Sequence, residues 1–145
     1  LYEYTPTAKL KRLFITATDS LGANAQTDEH VWQYVNEVPV RMLRIKNGID
    51  TVVVQFKTDE AGRVTEETTS GSGRPADPVY YYYDAQGRLT DVVRFNRRAR
   101  RLLPETMYEW GTHSQPLQRI NVPPNGSDYF IWRFQYDQNG LKIRE

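Results

Sequence analysis

Five arginines fall within eight residues, at Arg94, Arg97, Arg98, Arg100 and Arg101, in the run "RFNRRARRL". A guanidinium donates paired hydrogen bonds to carboxylate, phosphate or sulfate oxygens, so the run is a candidate anion site for an acidic glycan, phosphate or lipid headgroups. It also reads as a solvated hairpin tip whose charge keeps sheet edges from pairing with other chains. Four aromatic residues, Tyr80, Tyr82, Trp32 and Trp110, are candidates for stacking on sugar rings, the alternative being a place in a structural stripe. Other chemistries lack their residues. The only histidines, His30 and His113, lack ligand spacing, and cysteine is absent, so no metal site is expected. Asp59, Asp84 and Asp137 are single carboxylates in separate turns, short of a calcium loop. Glu66 and Glu67 are adjacent and would point to opposite faces of a strand, so they form no catalytic dyad. No nucleophile elbow is present. We therefore expect no catalytic, cofactor-binding or metal-binding residue, and a chain that is not an enzyme.

The elements that hold these residues follow a repeat. "YYYYDAQGRLTDV" aligns with "FKTDEAGRVTEE" and "RFQYDQNGLKI", and more weakly with "YEYTPTAKLKRL", "WQYVNEVPVRML" and "YEWGTHSQPLQRI", the last carrying one extra residue. The residues opening the turn are Thr5, Val35, Asp59, Asp84, Gly111 and Asp137, spaced by 30, 24, 25, 27 and 26. An Asp that opens a turn accepts a hydrogen bond from a backbone N–H two residues on, and a Gly at the fourth place takes a positive φ at little cost. "DEAG", "DAQG" and "DQNG" obey this grammar. Further turns are expected at "KNGID", where Asn47-Gly48 signals a two-residue hairpin loop, and at "SGSGRPADP", "FNRRARR" and "PPNGS". This predicts up to twelve short antiparallel strands. "AQTDEHVWQYV" could start a helix at an Asp cap, but the repeat makes it a strand.

Strand side chains alternate faces. One and three places before each turn-opening residue stand Tyr2 and Tyr4, Trp32 and Tyr34, Phe56 and Thr58, Tyr81 and Tyr83, Tyr108 and Trp110, and Phe134 and Tyr136. Eleven of these twelve are aromatic. The intervening residues are Glu3, Gln33, Lys57, Tyr82, Glu109 and Gln135, which predicts one aromatic and one mostly polar face. With Tyr more frequent than Phe, the outer ends of the aromatic ladder are expected to stay wet. In the second strands Leu10 and Leu13, Val40 and Leu43, Leu89 and Val92, and Leu117 and Ile120 are three apart, where alternation demands two or four. That spacing predicts a bulge that curls the sheet.

A chain of 145 residues with net charge +1 fits one domain and carries no overall field toward nucleic acid or membrane. Tyr81, Tyr83, Asp84, Gly87, Arg88, Leu89 and Thr90, with Asp59, Gly62, Arg63, Val64 and Thr65 as a second copy, resemble the YD (RHS-type) repeat. Asp137 and Gly140 fit in part, with Leu141 where Arg is expected, and the first, second and fifth copies lack both Asp and Gly. The resemblance implies an exported β-repeat protein, similar to Bacteroides-type surface lipoproteins, and implies no catalysis.

The expected fold is all-β: a repetitive antiparallel β-meander of about six hairpins in a single curled or elongated sheet with an aromatic face, one domain over residues 1–145. The expected function is a non-catalytic extracytoplasmic interaction or structural module, at the periplasm or cell surface. The alternative is a carbohydrate-binding module using an exposed aromatic face. The expected partner is a protein or glycan and not nucleic acid, since no reading helix or RNA-binding signature accompanies the arginines. Because the sequence opens at "LYEY" without Met, a trimmed chain or a mature one whose leader is gone is expected, and the resemblance implies membrane anchoring through a missing N-terminal segment. Homo-oligomerisation through the aromatic face is a further expectation.

Overall fold

The computed structural model describes residues 1–18, 25–71, 77–112, 114–123 and 128–145, and every regular element among them is a β-strand. The chain divides into two compact units, Leu1–Pro78 and Val79–Glu145. In the first, β1 (Tyr2–Tyr4), β2 (Leu10–Thr18), β3 (Ala25–Val35), β4 (Val38–Lys46), β5 (Asp50–Thr58) and β6 (Val64–Ser70) each pair antiparallel with the next. In the second, β7 (Val79–Tyr83), β8 (Leu89–Asn96), β9 (Arg101–Trp110), β10 (Pro116–Asn121) and β11 (Phe130–Arg133) do the same. The segment 25–35 is strand, as the repeat demands.

The second unit departs from one uninterrupted sheet. Phe134 splits the last long strand: its N–H donates to the Leu117 carbonyl at 2.9 Å, and beyond it β12 (Gln135–Tyr136) leaves β10 to pair with β13 (Lys142–Arg144) as a separate two-stranded sheet. The strands therefore number thirteen among the described residues, not twelve. The Asn47-Gly48 loop also differs from expectation. Both residues take positive φ, at 50° and 68°, but Lys46 pairs with Asp50, so Ile49 makes it a three-residue loop. Asn47 is drawn toward β3 instead: its N–H donates to the Thr27 carbonyl and its Oδ1 accepts from the Thr27 N–H. The tips of "SGSGRPADP" and "PPNGS" lie outside the described residues.

The bulges occur, six of them at one fixed place, and a further one lies between Val92 and Val93 of β8, where Glu105 of β9 is left over. In the pairs β1–β2, β3–β4, β5–β6, β7–β8, β9–β10 and β12–β13, the register slips between the residues two and one places before the turn-opening residue. Tyr82 pairs with Asp91 and Tyr83 with Leu89, leaving Thr90 over. The corresponding odd residues are Lys11, Val40, Thr65, Leu117 and Ile143. One extra residue restores the face: Leu10 and Leu13 stand opposite Tyr4 and Tyr2, and Leu89 and Val92 opposite Tyr83 and Tyr81. In two copies the alignment needs correction. Val40 and Leu117 are themselves the bulged residues, and Pro39 and Pro116 take the paired place. The fifth turn then has the ordinary length, and the second is one residue shorter, closing over Asn36 and Glu37 with φ of 48° and 67°.

At three of these bulges the ladder to the following strand is spread, and an aromatic donor from that strand fills the gap. Tyr34 Oη donates to the Leu10 carbonyl at 2.8 Å, Trp110 Nε1 to the Leu89 carbonyl at 2.7 Å, and Tyr136 Oη to the Pro116 carbonyl at 2.8 Å. Those carbonyls belong to the residue just before the bulged one, in the preceding copy. The expectation that the hydroxyls stay wet fails for Tyr34 and Tyr136, because the backbone takes them. Burial raises the Tyr34 pKa, and the Glu37 charge adds to the rise.

Burial is shallow. Val54 and Val79 are the only apolar residues among those described that are less than a tenth exposed. Trp32, Phe56, Tyr81 and Tyr108 are half-buried, and the next residues Gln33, Lys57, Tyr82 and Glu109 are exposed. β1, at the edge of its sheet, inverts this order: Tyr2 and Tyr4 are 61% and 60% exposed. Removing either hydroxyl, by Tyr34→Phe or Tyr136→Phe, is expected to destabilise its unit by about 1 kcal/mol, because a bridged carbonyl loses its donor. Urea unfolding of each variant against the native chain measures this, and unchanged midpoints would contradict it.

Candidate functional site

The residues of the D-x-x-G-R motif are held in one geometry. Asp84 Oδ1 accepts from the Gln86 and Arg88 N–H groups, both at 2.9 Å, and Oδ2 accepts from Arg88 Nε at 2.7 Å. The Gly87 N–H closes the turn on the Asp84 carbonyl, with Gly87 at a φ of 79°. Asp59 repeats every contact with Ala61, Gly62 and Arg63, and Asp137 repeats the backbone ones with Asn139, Gly140 and Leu141. In the first copy Thr5 stands for Asp: its Oγ1 accepts from the Lys9 N–H at 3.0 Å, and Ala8 takes the glycine place at a φ of 61°. Arg88 reaches further, donating to the Gly111 carbonyl and lying 5.4 Å from the Trp110 ring centroid. The carboxylates of these turns are thus occupied by the fold.

The predicted ligand residues separate. Trp32 belongs to the first unit, half-buried on β3 with its ring 5.8 Å from His30. The other seven belong to the second. Trp110 is engaged by its indole N–H and by Arg88 on its ring, which leaves it a poor stacking platform. Tyr80 and Tyr82 lie on β7 opposite Val93 and Asp91, Tyr80 half-buried and Tyr82 exposed. Arg97, Arg98 and Arg100 form the β8–β9 turn and Arg101 opens β9; all four are exposed. The fifth arginine, Arg94, is ion-paired with Glu105.

Two features lacked any sequence signal. His30 sits in a line with Asp28 and Arg44: its Nε2 lies 3.2 Å from Asp28 Oδ1, and Arg44 holds the same carboxylate at 2.5 Å. The Arg44 hydrogen bonds lower the Asp28 pKa, opposed by its desolvation. Only the pairing of β3 with β4 brings these residues together. The second is a pair of buried polar atoms, Arg119 Nε and Asn121 Oδ1, without a hydrogen-bond partner in the protein. Arg119 stands between Tyr108 and Trp132 across the strands, its guanidinium carbon 4.3 Å from the Trp132 ring centroid. A cleft of about 590 Å³ in the same unit is lined by Gly111, Gln115, Leu117, Tyr136 and Asn139, and most of the surface it exposes is apolar. His113 lies outside the described residues. Among the described residues no three potential ligands gather for a metal ion.

The turn carboxylates set an acid limb of stability. Hydrogen bonds from Arg63 and Arg88, first from the backbone, hold the Asp59 and Asp84 pKa values below the usual range, against desolvation. A carboxylate with a depressed native pKa favours folding above its ordinary value of about 4, and this contribution is lost as pH falls through the native value. The native chain should lose stability below about pH 4, and Asp84→Asn should lower stability at neutral pH while flattening that acid limb. Thermal unfolding at a series of pH values reads both effects, and an equally steep limb in the variant would refute the assignment. The full chain matches no known family model and no curated protein.

Proposed function

We propose that the chain is a non-catalytic extracytoplasmic interaction or structural module of the YD-repeat kind, with the hairpins of each unit presenting an aromatic face to a protein partner or to a second copy. The observation that carries this reading is the incomplete burial of the aromatics. Phe130 is 57% exposed on β11, at the edge of its sheet, with its ring 6.0 Å from half-buried Trp132. Tyr2 and Tyr4 stand uncovered on β1 at the edge of the first unit. Aromatic rings each offer roughly 150–250 Å² to a partner, and half-exposed rings keep much of that gain in reserve for association. The motif's polar residues, in contrast, hold turns together and offer no reactive group.

A carbohydrate-binding role is the second reading, favoured by one observation: Arg119 Nε and Asn121 Oδ1 are a donor and an acceptor without partners, two residues apart on one face of β10, beside Trp132. A sugar hydroxyl could accept from one and donate to the other after a side-chain rearrangement.

An apolar dye such as ANS should bind the native protein saturably, and Phe130→Ser should reduce its signal. Light scattering should show association rising with protein concentration. A chain that binds no dye and stays monomeric throughout would contradict the interaction reading. Titration with acidic and neutral polysaccharides should leave tryptophan fluorescence unchanged under the first reading. A saturable change abolished by Arg119→Ala would favour the second.

A further inference from the structure

The β8–β9 hairpin carries more than charge at its tip. No acidic residue occurs from Val92 to Pro104, while Arg94, Arg97, Arg98, Arg100 and Arg101 all do. Directly behind the tip, Phe95 and Leu102 pair across the two strands, 41% and 46% exposed. Alternation puts Tyr80 and Tyr82 on the same face of the sheet, through their partners Val93 and Asp91 on β8. The turn itself is tied by the Ala99 N–H donating to Asn96 Oδ1, and it closes with Arg100 at a φ of 52°. A left-handed position is cheapest for Gly or Asn; this chain uses them at Gly48, Gly62, Gly87, Gly140, Asn36 and Asn47, and places Ala8, Glu37 and Arg100 there as well. An arginine there accepts backbone strain and adds a positive charge at the outermost point of the hairpin.

We propose that this hairpin docks the protein onto an anionic lipid surface. Arg98, Arg100 and Arg101 meet headgroup phosphates, Phe95 and Leu102 enter the acyl boundary, and Tyr82 lies at headgroup level. A dissolved polyanion would account for the arginines but gives the exposed apolar pair no role. A bilayer uses both, because interfacial affinity sums buried apolar area and attraction to anionic headgroups. The inference stands apart from the aromatic-face reading, since Phe130 and Trp132 take no part in it.

Sedimentation of the full chain with phosphatidylcholine vesicles, with and without phosphatidylglycerol, tests it. Binding is expected only with phosphatidylglycerol and should weaken with salt. Arg98→Gln with Arg101→Gln should weaken it about thirtyfold, from roughly a tenfold change per 1.4 kcal/mol and about 1 kcal/mol per arginine at the surface. Phe95→Ser with Leu102→Ser should weaken it about tenfold or more while retention on heparin is unchanged. Arg100→Gly should raise the melting temperature by about 2–4 °C and still weaken vesicle binding. No binding to the anionic vesicles, or equal binding to neutral ones, overturns the proposal. So does native-strength vesicle binding by the apolar double variant, which would make the tip a plain polyanion site. The arginine variants, altered only at the exposed tip, keep the test decisive if the apolar pair compromises folding.

Discussion

A single residue left over in the second strand of each repeated strand pair governs the rest of the molecule. Lys11, Val40, Thr65, Thr90, Leu117 and Ile143 occupy that place. Without the extra residue, Leu13 and Val92 would turn away from Tyr2 and Tyr81, and the apolar set of each second strand would divide between two faces. At Lys11, Thr90 and Leu117 the bulge also ends the ladder to the following strand early, and a side-chain donor from that strand completes it. This explains a difference between two aromatic positions. One place before the turn stand Tyr4, Tyr34, Thr58, Tyr83, Trp110 and Tyr136, all bearing an O–H or N–H. Three places before it, Phe56 and Phe134 are accommodated. An aromatic ring suffices at the outer position, and every inner residue bears a donor, Thr58 without a ring.

The turns solve a local problem in interchangeable ways. The carboxylate of Asp59, Asp84 or Asp137 satisfies two backbone N–H groups that the chain reversal strands, and the Thr5 hydroxyl satisfies one of the equivalent pair. Arg63 and Arg88 add a charged clamp on the second oxygen. The second copy needs none of this, since Asn36 and Glu37 close a tighter reversal through two left-handed residues. The repeat therefore survives loss of its own signature residues, provided the bulge and the donor keep their places.

Much of this was legible in the residues. The alternation of Trp32, Gln33 and Tyr34, the Asp-to-Gly turn grammar and the three-residue spacing of Leu89 and Val92 all report local backbone geometry, which short-range sterics decide. What lay beyond reading depended on contacts between strands distant in sequence. The donors of Tyr34, Trp110 and Tyr136 reach carbonyls twenty or more positions away, and nothing in composition marks the recipients. Val40 and Leu117 look like the hydrophobic partners of an alignment, yet Pro39 and Pro116 pair while they bulge. Trp110, a plausible sugar platform by type, is taken up by Arg88. The arginine turn was visible as charge, while its apolar neighbours emerged only once Phe95 stood opposite Leu102.

The shallow core makes register, more than buried area, the source of specificity: a slip of one residue would exchange half-buried aromatics such as Tyr81 and Tyr108 for exposed neighbours such as Tyr82 and Glu109. Cross-strand nuclear Overhauser contacts in the β7–β8 pair test this most directly. Contacts joining Tyr82 to Asp91 and Tyr83 to Leu89, with Thr90 lacking an opposite partner, are the predicted result. An unbroken ladder in which Tyr83 faces Thr90 would contradict the bulge and the account built on it.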